Sequence, residues 1–283
     1  TLVKLSMLSM IMITACQPET SFNNNGLTTE IDPSFIVMPV EGLSNPYTLE
    51  TQATTDVITT WWDNGDGSGL YKGTIKEQIF LPDAGIYTLV HTSVGKGGAT
   101  FTSSQELTVE QSDPNSGNIV KGGKVANSEN IAQWTIGGTG SSDGIWTFAD
   151  GKATLTASGW AGRGIYQAVD VIEGKTYKID MIASSTSGVS DTWLEVYCGY
   201  SVPTTTGDYS EGGKLYSVST WDNPDATNPF LGKISSLMLG KADENTGVFT
   251  ATSTGTAYLV IRGGGNDMKD GIALTNIEMR GTN

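Results

Sequence analysis

Cysteine, histidine and charge are all scarce in this chain. Of 283 residues, two are cysteine (Cys16 and Cys198) and one is histidine (His91). A disulfide framework is thereby excluded, and the fold must be held by packed cores. Cys198 falls in an apolar strand and reads as a small core residue. A single histidine removes most metal-site and triad chemistry. His91 lies in the alternating run Tyr87-Thr88-Leu89-Val90-His91-Thr92 and reads as an ordinary strand position. Charged residues make up 16% of the chain, 16 basic against 30 acidic, for a net charge of −14. With no basic run, nucleic acid is not an expected partner. An acidic surface repels anionic polymers and favours neutral ligands.

Long hydrophobic runs are missing too. The apolar stretch Leu5 to Ile13, interrupted by Ser6 and Ser9, is far shorter than the roughly 20 residues of a membrane-spanning helix. It suits the h-region of an export signal, with Lys4 as its positive n-region. Small residues then lead into a cysteine, Ile13-Thr14-Ala15-Cys16. That arrangement reads as a lipoprotein signal over residues 1–16, with Cys16 carrying the lipid. Ile13 stands where Leu is commonest in the bacterial lipobox. Each buried lipid methylene contributes roughly 0.8 kcal/mol, so two or three chains anchor firmly. The expected location is the outer membrane, at the cell surface.

What the chain has in abundance is glycine, 36 residues, mixed with Thr and Ser. That texture, with strand-sized segments and no helical period, predicts an all-β protein. Residues 17–31 are polar and turn-prone and read as a flexible tether. Residues 32–110 carry segments at Phe35–Met38, Tyr47–Ala53, Val57–Trp62, Ile75–Leu81, Ile86–Val94 and Phe101–Val109. This spacing predicts a small β-sandwich. Residues 111–117, Gln-Ser-Asp-Pro-Asn-Ser-Gly, form a linker. Residues 118–283 hold about nine further strands, enough for a two-sheet jelly roll. Asp63 and Asp66 lack the spacing of a calcium loop and read as Asx turns.

Two tryptophans stand out because nothing obvious buries them. Trp160 lies in Ser158-Gly159-Trp160-Ala161-Gly162-Arg163-Gly164, and Trp221 in Ser219-Thr220-Trp221-Asp222-Asn223-Pro224. Large aromatics in polar surroundings point to a binding surface. A flat ring stacks on the C–H face of a pyranose while polar neighbours bond its hydroxyls; Arg163 and Asp222 are placed for this. The strand Asp191 to Tyr200 alternates, with Leu194, Val196 and Cys198 on one face and Trp193, Glu195 and Tyr197 on the other. The second face makes a sensible groove floor. The alternative is that a loop covers it and the aromatics are second-layer packing. Trp134 and Trp146 read as core. The expected ligand-binding residues are therefore Trp160, Arg163, Trp193, Glu195, Tyr197 and Trp221.

Two resemblances add to this. Trp62-Asp63-Asn64-Gly65-Asp66-Gly67 and Ala84-Gly85-Ile86-Tyr87-Thr88-Leu89 resemble the PKD domain, an immunoglobulin-like sandwich used as a spacer, with Asn64 in place of its usual Phe. Residues 118–283 resemble carbohydrate-binding jelly rolls of the galactose-binding-like superfamily, near families 4 and 16. The matching stretches are Asn118-Ile119-Val120, Gln133-Trp134-Thr135, Ile165-Tyr166-Gln167-Ala168-Val169, Gly174-Lys175-Thr176-Tyr177-Lys178-Ile179 and Gly271 to Ile277. Thr192 to Pro203, with Gly212 to Tyr216 and Thr220-Trp221, looks like the PKD-containing surface glycan-binding lipoproteins of marine Bacteroidota. That resemblance implies a polysaccharide partner, laminarin (a β-1,3-glucan) above all, and a SusC/SusD-type importer beside the protein. Related modules bind a structural calcium through Asp-Asn in the last strand and an acid near the first. Here Thr275-Asn276 and Lys124 occupy those places, so that calcium is left open and no other cofactor is expected.

Catalysis is not expected. The laminarinase pattern E-x-D-x-x-E has one partial match, Glu30-Ile31-Asp32-Pro33-Ser34-Phe35, which lacks the last Glu and contains a Pro. Glycoside hydrolysis needs two carboxylates about 5–9.5 Å apart, and nothing favours Glu195 and Asp222 as that pair. The spacing G-x-S-x-G occurs at Gly140-Ser141-Ser142-Asp143-Gly144, but with one histidine, read as an ordinary strand position, nothing supports a serine hydrolase. A surface adhesin or stalk without glycan specificity is the remaining alternative.

Overall fold

The computed structural model describes residues 30–53, 55–139 and 145–282, the side chain of Ser158 excepted. Cys16, the export segment and most of the tether lie outside these residues. The chain divides into two compact units. The first takes in the residues up to Glu41, Pro46–Ile79 and Tyr87–Leu107; the second takes in Gly42–Asn45, Phe80–Ile86 and the chain from Thr108 onward.

Seven strands form the first sandwich: β1 (Phe35–Pro39), β2 (Pro46–Thr51), β3 (Val57–Asp63), β4 (Tyr71–Gly73), β5 (Lys76–Phe80), β6 (Gly85–Gly95) and β7 (Thr100–Val109). They pair as two sheets, β1-β2-β5 and β4-β3-β6-β7. Alternation decides which side chains go inside: Leu49, Trp62, Ile79 and Leu89 are buried, and Trp62 meets Phe35 edge-to-face at 5.2 Å. The expected Asx turns are present, with Asp63 accepting from the Gly65 N–H at 2.8 Å and Asp66 from the Ser68 N–H at 2.8 Å.

Among its described residues the second unit has eleven strands: β8 (Thr135–Ile136), β9 (Ile145–Ala149), β10 (Lys152–Thr156), β11 (Ser158–Val171), β12 (Thr176–Ser185), β13 (Ser190–Gly199), β14 (Tyr216–Ser219), β15 (Phe230–Lys233), β16 (Val248–Thr250), β17 (Gly255–Asp267) and β18 (Ile272–Thr282). One sheet runs β15-β12-β18-β10-β9, with β16 also on β12; the other runs β14-β13-β17-β11-β8. The core lies between them, with Leu155, Ile179 and Leu274 of one sheet and Ile165, Leu194 and Ile261 of the other inaccessible to solvent. Trp134, Trp146 and Cys198 belong to this core. Burial pushes the Cys198 thiol up to about 12, which leaves it an inert packing group. The all-β expectation thus holds, as two sandwiches. β11 begins at Ser158, inside the glycine-rich stretch around Trp160, and β17 continues through Gly263, Gly264 and Gly265. Among the described residues no helix is long and apolar enough to cross a membrane.

His91 sits inside the first sandwich, its ring centroid 4.1 Å from that of Trp62 and its Nδ1 2.7 Å from the Pro33 carbonyl. Burial depresses its pKa, with the Pro33 hydrogen bond pulling weakly the other way. The unfolded chain therefore takes up a proton at about pH 6.5 while the folded chain does not. That stability is complete above this pH and is lost as the pH falls. Thermal melts of the first unit from about pH 8 to about pH 5 should show a falling transition temperature. His91→Asn should flatten that dependence; an unchanged slope would assign it to other groups.

Candidate functional site

The outer face of the five-stranded sheet carries the site. Cross-strand partners share a face, so the register reads off the rows. Trp193 on β13 stands level with Ser219 on β14 and Gly264 on β17, and Gly264 in turn with Gly162 on β11. The next row is Ser217, Glu195, Arg262 and Gly164; the one below holds Tyr197, Val260 and Tyr166. Gly264 in the first row and Gly164 in the second carry no side chain because the backbone leaves no room for one. A Cβ on Gly264 would strike the Ala161 carbonyl and come within 2.8 Å of the Gly162 Cα, and one on Gly164 would strike the Gly137 carbonyl.

The row of Tyr197 is filled and covered. Tyr197 is only 3% exposed, with its ring 6.3 Å from that of Tyr209. Tyr209 comes from the connection between β13 and β14. Its N–H donates to the Gly138 carbonyl at 3.1 Å, and the Gly138 N–H donates to the Thr204 carbonyl at 2.7 Å. The Glu211 carboxylate ties the same connection down, accepting from the Tyr200 and Ser201 N–H groups at 3.0 and 2.6 Å. Burial first, and then the hydrogen bond to Glu195, push the Tyr197 phenol up to about 12. Tyr197 is therefore second-layer packing and not an open groove floor.

Glu195 is likewise occupied. Its Oε2 accepts from the Tyr197 hydroxyl at 2.8 Å and from Arg262 Nη2 at 2.8 Å, and Lys214 Nζ lies 3.4 Å from Oε1. Lys214 also pairs with Glu244 at 2.8 Å. Arg163 takes the opposite side. It stands in register with Gly263, which pairs with the core residue Leu194, so its side chain leaves the sheet away from Glu195. Asp222 lies 3.8 Å from Lys241 Nζ.

Trp160 and Trp221 are the exposed pair, at 69% and 54%. They sit at the end of the sheet where β11 begins and β14 ends, next to the row of Trp193. Trp160 lies in a β-bulge between Ser158 and Ala161, with φ at 39°, outside the range a bulky residue ordinarily adopts. The two rings are nearly parallel, 18° apart, with centroids 6.2 Å apart. A ring inserted between them would need about 7–8 Å, two contacts of 3.5–4.0 Å. They stack offset on each other and present their outer surfaces. The structure thus brings Trp160, Trp193 and Trp221 to one end of one sheet, buries Tyr197, engages Glu195 in ion pairs and turns Arg163 away.

Sequence reasoning passed over Arg262, Asp208 and Tyr209. Arg262 did leave a signal, a charge closing the apolar run Ala257-Tyr258-Leu259-Val260-Ile261. Among the described residues no group of three or more His, Cys, Asp and Glu side chains gathers as metal ligands.

No known family's sequence profile matches the chain, and no curated protein matches it. Several solved structures do. One concerns the promiscuous specificity of carbohydrate-binding modules of the β-sandwich superfamily, at 14% identity, covering 87% of this chain and 96% of the other, with a TM-score of 0.29. A CBM4 structure matches at 13% identity over 58% of this chain and 99% of its own, TM-score 0.35. A mannan-recognising carbohydrate-binding module, TmCBM27, matches at 14% over 56% and 95%, TM-score 0.31. At these TM-scores the likeness does not define the fold, which rests on the strand pairing above.

The glycine row and the exposed pair differ in what they contribute to stability. Gly264→Ala is expected to destabilise the second unit by about 1–3 kcal/mol through overpacking. Trp160→Ala, which removes an exposed ring and its stack on Trp221, is expected to cost less, about 0.5–1 kcal/mol. Thermal melts of both variants check the contrast, and equal losses would place Trp160 in the packing.

Proposed function

We propose that the second unit is a non-catalytic glycan-binding module. It takes a neutral polysaccharide along Trp193 and the Trp160–Trp221 pair. The observation that carries this reading is the exposed, mutually stacked pair of tryptophans at the end of the sheet, next to the row of Trp193. Exposed flat apolar faces suit an amphipathic sugar ring, whose C–H face stacks while its hydroxyls reach polar groups. The net charge of −14 favours an uncharged chain over a uronic or sulfated one. Binding without catalysis is supported by the state of the carboxylates: Glu195 is tied to Arg262, Tyr197 and Lys214, and Asp222 lies near Lys241.

The finer assignments rest on sequence resemblance. They are laminarin as the glycan, a PKD-like spacer in the first unit, lipid attachment at Cys16, display at the outer-membrane surface and delivery to a SusC/SusD-type importer. No cofactor is expected, with a structural calcium left open. A shallow platform of two or three stacked rings corresponds to a dissociation constant on the order of 10 to 200 μM. Many copies anchored on one surface raise effective binding by avidity.

Isothermal titration of the chain with laminarin, mixed-linkage glucan, xylan, mannan and alginate tests this. Saturable heat with laminarin and none with alginate is the expected result. Trp160→Ala and Trp221→Ala should each weaken binding at least about tenfold, the loss of roughly one stacked ring, with little loss of melting temperature. Silence across the panel would remove laminarin and leave a stalk as the better reading.

A further inference from the structure

Trp193 is half-buried, and one side of its ring is already occupied. The Arg262 guanidinium lies 5.2 Å from the Trp193 ring centroid and 5.1 Å from that of Tyr197. It is held from three directions. Nε and Nη2 donate to Glu195 Oε2 at 3.1 and 2.8 Å, Nη2 reaches the Tyr197 hydroxyl at 3.3 Å, and Nη1 pairs with Asp208 Oδ1 at 3.1 Å. Glu195 is held in turn by Tyr197 and Lys214. Nη1 is shut off from solvent, and its contact with Asp208 is an ion pair without hydrogen-bond geometry. A guanidinium fixed in this way has little to offer a ligand, but it is a rigid planar cation against an aromatic ring, the arrangement in which cation–π attraction is strongest.

We infer that Arg262 is a positioning residue of the glycan site. Resting on the reading above, its role is to fix the Trp193 ring as a one-faced platform. Arg262 itself touches no sugar. Lysine keeps the charge but loses the planar fork, so Arg262→Lys separates positioning from charge.

The test uses the whole chain in two readouts. Near-ultraviolet circular dichroism is recorded with and without Trp193, using Trp193→Phe, in the wild-type and Arg262→Lys backgrounds. The difference isolates the Trp193 band, which should shrink in Arg262→Lys while cooperative unfolding is retained. Titration with laminarin should show Arg262→Lys binding about fivefold more weakly, the scale of one cation–π contact. In the Trp193→Phe background the same substitution should cost nothing further. A merely structural role would weaken both backgrounds equally. That outcome, or an unchanged Trp193 band, would overturn the inference. Should Arg262→Lys fail to unfold cooperatively, Asp208→Asn replaces it, removing the outer partner and leaving Glu195 in place. It should shrink the band less but in the same sense, and no change would overturn the inference. If no glycan in the panel binds to the wild type, the glycan reading fails by itself, and the Trp193 band still decides the part played by Arg262.

Discussion

A guanidinium on a mostly covered sheet face must be compensated, and the outer surface of the second unit is organised around that of Arg262. An unpaired charge at such a position costs several kcal/mol. Glu195 answers it from directly across the strand pair, and Asp208 answers it from the connection between β13 and β14. Tyr209 follows Asp208 in the chain, so the segment that neutralises Arg262 also lays a ring against Tyr197. Compensation and covering arrive together. The lower half of the face becomes a second apolar layer of Tyr197, Tyr209 and Val260.

In the upper rows the backbones come close. A side chain at position 264 would collide with β11, and one at 164 would collide with the Gly137 carbonyl. Glycine there is a packing requirement, and Gly162, Gly164 and Gly264 are all buried. Two rows below Gly264 the same three strands carry Tyr197, Val260 and Tyr166. Close backbone packing in the upper rows and side-chain packing in the lower one both shut out water, which leaves Trp160 and Trp221 as the exposed aromatic surface at the end of the sheet.

Much of this was legible in the sequence, because burial follows a period of two. The alternation Leu194, Val196, Cys198 against Trp193, Glu195, Tyr197 holds in the structure, as do the core positions of Trp134 and Trp146. The exposure of Trp160 and Trp221 was legible from their polar, glycine-rich neighbours. Three features were not. Tyr197 is covered by a segment whose Thr, Ser and Gly content reads as plain loop, and only tertiary packing puts Tyr209 on it. Glu195 and Arg262 meet across strands 67 residues apart, a separation no local pattern reports. Arg163 lies in what reads as a glycine-rich turn but is the start of β11, and strand parity then sends its side chain to the core side. The bulge at Ser158–Ala161 sets that parity, and its signature, Gly before Trp, also fits an ordinary turn.

The Trp160–Trp221 pair need not be explained by stability. Offset stacking of two aromatics is worth about 0.5–1.5 kcal/mol beyond buried area. Holding Trp160 at φ 39° costs on the order of 1–3 kcal/mol, as sparsely populated backbone regions do. The gain and the cost are of the same size, and both rings keep more than half of their surface in water. A pair that returns little to the fold, held in strained backbone at the end of the sheet with both rings exposed, is not accounted for by stability.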